Sequence, residues 1–129
     1  THDKAFLQQA EHIASFIFAQ PNMPADLIPY WDMKDPQIPN SPRDVSAAAV
    51  TASALYELAG YSNQRAQYIK WADTIMDNLD RHYRAKTGSN NGFILLHSTG
   101  NYPSHDEIDK PIIYADYYYI EALIRKNNI

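Results

Sequence analysis

The chain contains no cysteine. That absence excludes a disulfide framework, a thiolate metal site and a cysteine nucleophile together. A basic excess is missing too. Eleven Lys and Arg stand against fifteen Asp and Glu, for a net charge of -4 and a pI of about 5.6. Nothing here would neutralise a phosphate backbone, so no nucleic-acid partner is expected. No apolar run approaches the ~18 residues that a membrane span needs, so no membrane partner is expected either. Position 1 is Thr, and no signal-like apolar stretch follows it. The expectation is that a leader has been removed or that the chain is a piece of something longer. The compartment stays open, since a bacterial periplasm or cytoplasm would both suit a cysteine-free, acidic chain. The G-x-S-x-G, P-loop and G-x-G-x-x-G patterns are absent. The five histidines, His2, His12, His82, His97 and His105, form no H-x-x-x-H pair, so no metal site is expected.

What remains is one domain's worth of chain, 1–129, with an ordinary apolar share of 45%. Tyr supplies ten of the sixteen aromatics, beside Trp31 and Trp71. Tyr has an apolar body and a polar tip. Two readings stay open: helical packing with hydroxyls reaching the surface, or a groove for polyhydroxylated ligands.

Periodicity predicts four helices. The first covers 3–20, with Phe6, Ala10, Ile13 and Ile17 at helical spacing and Asp3 as N-cap. Six of the eight prolines then fall in 21–43, which cannot be regular helix. That stretch carries Leu27, Ile28, Tyr30, Trp31, Met33 and Ile38, so it is expected to pack as an ordered loop rather than act as a linker. A second helix over 44–59 opens on Asp44 or Ser46, with Gly60 as a C′ glycine. Its Ala and Ser residues lie on nearly every face, which suits an inner helix closely surrounded by others. Ser62 would cap a third, amphipathic helix over 63–84, antiparallel to the second, with Ile69, Ala72, Met76, Leu79 and Tyr83 inward. Asp73, Asp77 and Asp80 read as a solvated stripe. Phe93–Leu96 is expected to be extended. Pro111 would open the last helix, 112–126, at its first position. Ile113, Tyr117, Ile120 and Ile124 on one face, with Tyr114, Tyr118 and Leu123 nearby, predict a largely buried helix.

Two loops could hold a polar ligand. One carries Tyr30, Trp31, Asp32 and Asp35, followed by Arg43 and Asp44. The alternative there is a Trp anchoring the loop, with Asp32 making an Asx turn. The other loop runs over 97–111, and its His97–Ser104 part includes Ser98, Asn101 and Tyr102. Its alternative is plain turn-forming composition.

Two runs of residues also carry a resemblance. Pro29-Tyr30-Trp31-Asp32-Met33-x-Asp35-Pro36-x-Ile38-Pro39 is followed by Pro42-Arg43-Asp44-Val45-Ser46-Ala47-Ala48-Ala49. Phe93-Ile94-Leu95-Leu96-His97-Ser98-Thr99-Gly100-Asn101 is followed by Ile112-Ile113-Tyr114-Ala115-Asp116-Tyr117-Tyr118-Tyr119-Ile120-Glu121-Ala122-Leu123. Together they resemble the C-terminal half of the unsaturated glucuronyl hydrolases, glycoside hydrolase family 88. The resemblance implies an all-α fold: helical hairpins forming part of an (α/α)6 barrel, with long ordered loops. It implies release of an unsaturated uronic sugar from lyase-generated oligosaccharides, by hydration of the C4–C5 double bond. An Asp would be the general acid and base, unlike displacement at the anomeric carbon by two carboxylates. No cofactor is implied. The family's catalytic Asp pair would lie upstream of this chain, so Asp32, Asp44 and Asp116 do not inherit that role and no catalytic residue is assigned here. Substrate-binding candidates are His97, Ser98, Asn101, Tyr102, Trp31, Asp32 and Arg43. Val45 departs from the Ser usual after the helix-opening Asp, which puts a hydroxyl contact there in doubt.

The expected partners are an unsaturated uronic-acid oligosaccharide and, at the open edge, either the missing N-terminal part of the barrel or a second copy. Exposed apolar surface is expected on the first and last helices. The chain alone is expected to be inactive. Two other readings are a stand-alone helical binding or scaffold domain using the Trp31 loop, and a barrel similar to the unsaturated rhamnogalacturonyl hydrolases.

Overall fold

The computed structural model describes residues 3–129. Four long helices appear: α1 (Lys4–Phe18), α2 (Val45–Ala59), α3 (Arg65–Asn78) and α4 (Ile113–Asn127). No strand forms among the described residues. Residues 84–85 and 94–96 make only a short antiparallel bridge, with Ala85 N–H donating to the Ile94 carbonyl at 2.8 Å and Leu96 N–H to that of Tyr83 at 2.9 Å. The extended Phe93–Leu96 run is therefore present, with a single bridge as its only pairing. No helix among the described residues is long and apolar enough to cross a membrane.

α2 is the hub. Val45, Ala48, Ala49, Ala52, Leu55, Tyr56 and Ala59 are all buried along it, and Ser46 and Ser53 are buried between them. Small side chains let the neighbouring backbones close in from several sides. Asp44 caps it, accepting from the N–H groups of Ser46 (3.1 Å) and Ala47 (3.4 Å). Gly60 is not a left-handed C′ residue: its φ is -72°, and the chain leaves α2 through Ser62 N–H donating to the Leu58 carbonyl at 3.1 Å.

The pairing of side chains gives the helix directions. Ser53 of α2 donates to Glu121 of α4, and Arg125, one turn on, pairs with Glu57. Thus α2 and α4 run parallel. Tyr56 donates to Asp73 at 2.7 Å, and Arg65 donates to the Ala59 carbonyl at 3.3 Å, so α3 runs back against α2. Ser62 donates to Glu11, and Phe18 stacks on Trp71 at 4.2 Å, so α1 runs alongside α3. Two inner helices, α2 and α4, therefore point their N-termini to the same end. Both long loops gather there.

Three local expectations need correcting. Ser62 does not begin the third helix directly. Its hydroxyl accepts from Gln64 N–H at 3.1 Å and the helix starts at Arg65. That helix also ends at Asn78, followed by one π-helical turn over Leu79–Tyr83. The solvated stripe of Asp73, Asp77 and Asp80 is present, with Asp77 and Asp80 exposed and Asp73 half-buried; Tyr56 donates to Asp73, and Tyr119 of α4 donates to Asp80 at 3.2 Å. Pro111 precedes the N-cap Ile112 and is not the first helical residue. Finally, α4 is not buried most of the way round. Only Ala115, Asp116, Tyr119 and Ala122 are enclosed, while Ile113 is 69% exposed and Tyr117, Ile120 and Ile124 are exposed with it. The face that carries the strongest apolar period has no cover among the described residues. On α1 the inward stripe is Leu7, Ala10, Glu11, Ala14, Ile17 and Phe18, and Phe6, Ile13 and Phe16 face out. The exposed apolar surface expected on the first and last helices is thus present.

Candidate functional site

The proline loop is built around Asp35. This carboxylate is buried and accepts three hydrogen bonds: Trp31 Nε1–H at 2.6 Å, Ser41 Oγ–H at 2.7 Å and Gln37 N–H at 2.8 Å. The Gln37 amide, then Ser41 and Trp31, hold its pKa below the usual carboxylate range. Asp32 accepts from Lys34 N–H at 2.8 Å, which is the Asx turn. Arg43 is spent on the loop's other side. Its guanidinium lies 4.5 Å from the Tyr30 ring centroid, pairs with Asp26 at 3.3 Å and donates to the Ile28 carbonyl. Tyr83, from the π-helical turn, donates to the same Asp26 at 2.9 Å. Burial, then Asp26, pushes its hydroxyl up to about 12.

The 97–111 loop docks on the start of α2. The His97 carbonyl accepts the Val45 N–H at 3.2 Å. Thr99 Oγ1–H donates to the Arg43 carbonyl at 2.9 Å, and Thr99 N–H reaches Asp44 Oδ1 at 3.4 Å. Asp44 thus caps α2 and pins the second loop to it. Ser46 Oγ–H donates to the same oxygen at 2.6 Å. Ser98 and Lys110 exchange backbone hydrogen bonds at 3.0 and 2.9 Å and close the base of the loop. His97 Nδ1 pairs with Asp109 Oδ1 at 2.6 Å across that base. His97, His105, Glu107 and Asp109 all have φ between 49° and 65°. Four non-glycine residues in the left-handed region make a tightly wound loop.

The two loops meet. The Trp31 indole stacks on the Tyr102 ring at 4.2 Å with 13° between planes. Among the sequence-predicted site residues, Trp31 and Tyr102 are thereby brought together, and Asn101 and His97 lie exposed on the same loop as Tyr102. Asp32 and Arg43 are engaged in holding the proline loop. Ser98 is fully buried, and its hydroxyl has no partner among the described residues. Periodicity passed over Asp26 and Thr99, which join the loops to the helices; the only sequence sign was their place in ligand-type loops. No group of three His, Cys, Asp or Glu among the described residues could hold a metal ion.

No protein-family model matches the chain. Individual relatives do. The unsaturated glucuronyl hydrolase of Formosa agariphila is 47% identical over 130 residues, covering 100% of this chain and 32% of that protein. Over its whole length the chain is similar to a segment of an unsaturated glucuronyl hydrolase. The crystal structure of an unsaturated glucuronyl hydrolase specific for heparin matches with a TM-score of 0.96 and 50% identity, over 99% of this chain and 35% of that one. A mutant glucuronyl hydrolase from Streptococcus agalactiae, complexed with dGlcA-GalNAc6S, matches with a TM-score of 0.76 and 28% identity, over 84% of this chain and 30% of that one. The chain therefore spans about a third of the length of these glucuronyl hydrolases. The all-α fold with parallel inner and antiparallel outer helices is a part of their α/α barrel.

The carboxylates at this end supply one pH prediction. Asp35 has its folded pKa below its unfolded value of 3.8. Its contribution to stability is fully present above about pH 4 and is lost as pH falls through the lower, folded value. An acid titration of the protein followed by circular dichroism should show a steeper loss of stability below pH 4 than Asp35→Asn does. Equal slopes would mean that the three donors around Asp35 do not bind its ionised form preferentially.

Proposed function

We propose that this chain forms one wall of the uronide cleft of an enzyme that hydrates the C4–C5 double bond of an unsaturated glucuronyl residue and so releases it from a lyase-generated oligosaccharide. The observation that carries this is the convergence of both ligand-type loops, through the Trp31–Tyr102 stack, at the shared N-terminal end of α2 and α4. The dGlcA-GalNAc6S bound by the streptococcal relative supports the substrate class. His97, Asn101, Tyr102 and Trp31 are the residues proposed to face the sugar. Asp32, Arg43 and Ser98 keep the loops in shape beneath them.

The general acid comes from outside residues 3–129. Asp44 is taken up by amides of α2 and Thr99, Asp116 by the amides of Ile94 and Leu95, and Asp32 by Lys34. A group already accepting in this way is badly placed to deliver a proton to a reacting carbon. The uncovered apolar face of α4 is proposed to pack against the rest of the same barrel, since the relatives are about three times longer than this chain.

The test is the ultraviolet absorbance of the double bond in an unsaturated chondroitin or heparin disaccharide. It should fall with the protein as its gene encodes it and stay constant with the 129-residue chain alone. Turnover by the 129-residue chain would return Asp32, Asp44 and Asp116 to candidacy as catalysts. No turnover by either would favour a binding domain or a related barrel with a different sugar.

A further inference from the structure

We propose that Asp35 is a positioning residue of this cleft: it fixes the plane of the Trp31 indole, and through the Trp31–Tyr102 stack it sets where the 97–111 loop presents its side chains. The inference rests on the cleft reading above.

The geometry is specific. All three groups around Asp35 are donors. Trp31 Nε1–H and Ser41 Oγ–H converge on Oδ2, and Gln37 N–H on Oδ1. A carboxylate accepts at both oxygens and donates at neither. An Asn amide has one accepting end, so one of these donors must then face an NH2 group. The indole N–H bond, at 2.6 Å to an ionised and buried acceptor, is of the strong charge-assisted kind. It removes the rotational freedom that an indole on a proline-rich loop would otherwise keep. Tyr102 lies nearly parallel, 13° from the indole plane, so a turn of the indole displaces Tyr102 with it. Tyr102 opens the short 3-10 turn Tyr102–Ser104, in which Ser104 N–H donates to the Asn101 carbonyl at 3.3 Å and the following His105 N–H to that of Tyr102 at 3.0 Å. Tilting Tyr102 therefore moves Asn101 as well. No corresponding tie reaches the loop from α4: the structure shows no side-chain hydrogen bond from Tyr102 or Asn101 to that helix among the described residues.

A sugar ring that lies against such a loop would feel the change as weaker binding, while groups elsewhere still carry out the chemistry. The experiment compares Asp35→Asn, Trp31→Phe and the double variant in the protein as its gene encodes it. The substrate is the unsaturated disaccharide, and kcat and KM are read separately. Trp31→Phe keeps a ring to stack on Tyr102 but removes the N–H. We expect each single variant to raise KM about tenfold, the size of one lost hydrogen bond to a charged group. kcat should change less than about twofold, and the double variant should be no worse than Trp31→Phe alone. A KM unchanged in Asp35→Asn, or multiplied effects in the double variant, would overturn the proposal.

A second readout does not depend on the substrate. The near-ultraviolet circular dichroism band lost in Tyr102→Leu belongs to the stack. Asp35→Asn should lose the same band although both rings remain. If the band survives, the positioning role is wrong even in a fully active enzyme. If it is lost in a protein that does not turn over the disaccharide, the positioning role stands and the cleft reading is what has failed.

Discussion

Replacing Asp116 with Ala is expected to cost about 2–5 kcal/mol of stability, the sum for one buried and one half-buried backbone donor left without acceptors. Asp116 is only 6% exposed, although it sits in the first turn of α4. Its Oδ2 accepts from Ile94 N–H at 2.8 Å and its Oδ1 from Leu95 N–H at 2.9 Å. These bonds fasten the extended 93–96 run to the inner helix, and that run leads directly into the 97–111 loop. Asn should rescue little, because one of its two ends would point a donor at a donor. Scanning calorimetry on the gene-encoded protein should show a clear fall in Tm for both variants. A loss below about 1 kcal/mol would mean that water or a neighbouring group replaces the carboxylate. Binding should suffer as well, since the 97–111 loop hangs from the extended run that Asp116 holds.

The second large effect is expected at Ala52→Leu. Ala52 is fully buried on α2, the helix with neighbours on most sides. Three added heavy atoms have nowhere to go, and overpacking of this kind costs about 1–3 kcal/mol or more. Ala54, on the same helix, is exposed. Ala54→Leu should change stability by less than about 0.5 kcal/mol, since the two residues have similar helix propensity. Equal effects at the two positions in a thermal melt would contradict the inner-helix assignment of α2.

These sites also show what the sequence could and could not disclose. α2 was legible because close approach requires small residues on several faces, and Ala48, Ala49, Ala52 and Ser53 write that requirement directly into composition. The caps Asp3 and Asp44 were legible because the bonds they make are local. α4 was misjudged for a physical reason. The period of Ile113, Tyr117, Ile120 and Ile124 marks a face that must be covered, but it does not say whether the cover lies within these residues. The π-helical turn left no trace in the apolar period. The solvated stripe of Asp73, Asp77 and Asp80 was legible, but the tyrosine partners of Asp73 and Asp80 were not, because they lie 17 and 39 residues away in sequence.

The two ligand-type loops were recognised separately, from Trp31 with its carboxylates and from the polar run at His97–Ser104. That the two loops meet follows from the stack of Trp31 on Tyr102 and from the Thr99 bonds to Arg43 and Asp44, which no local pattern encodes. The framework roles of Arg43 and Ser98 are equally non-local. Arg43 is claimed by Asp26 and Tyr30, and Ser98 is enclosed by the packing of the loop base.

The most direct test of the account is a crystal structure of the gene-encoded protein with an unsaturated glucuronyl disaccharide bound in an inactive variant. The account predicts the sugar at the N-terminal end of α2 and α4, in contact with the Tyr102 loop or with Trp31. A sugar seated instead in the open cleft between Lys86, Phe93 and Leu123, or at the opposite end beside Tyr61 and Arg125, would contradict it.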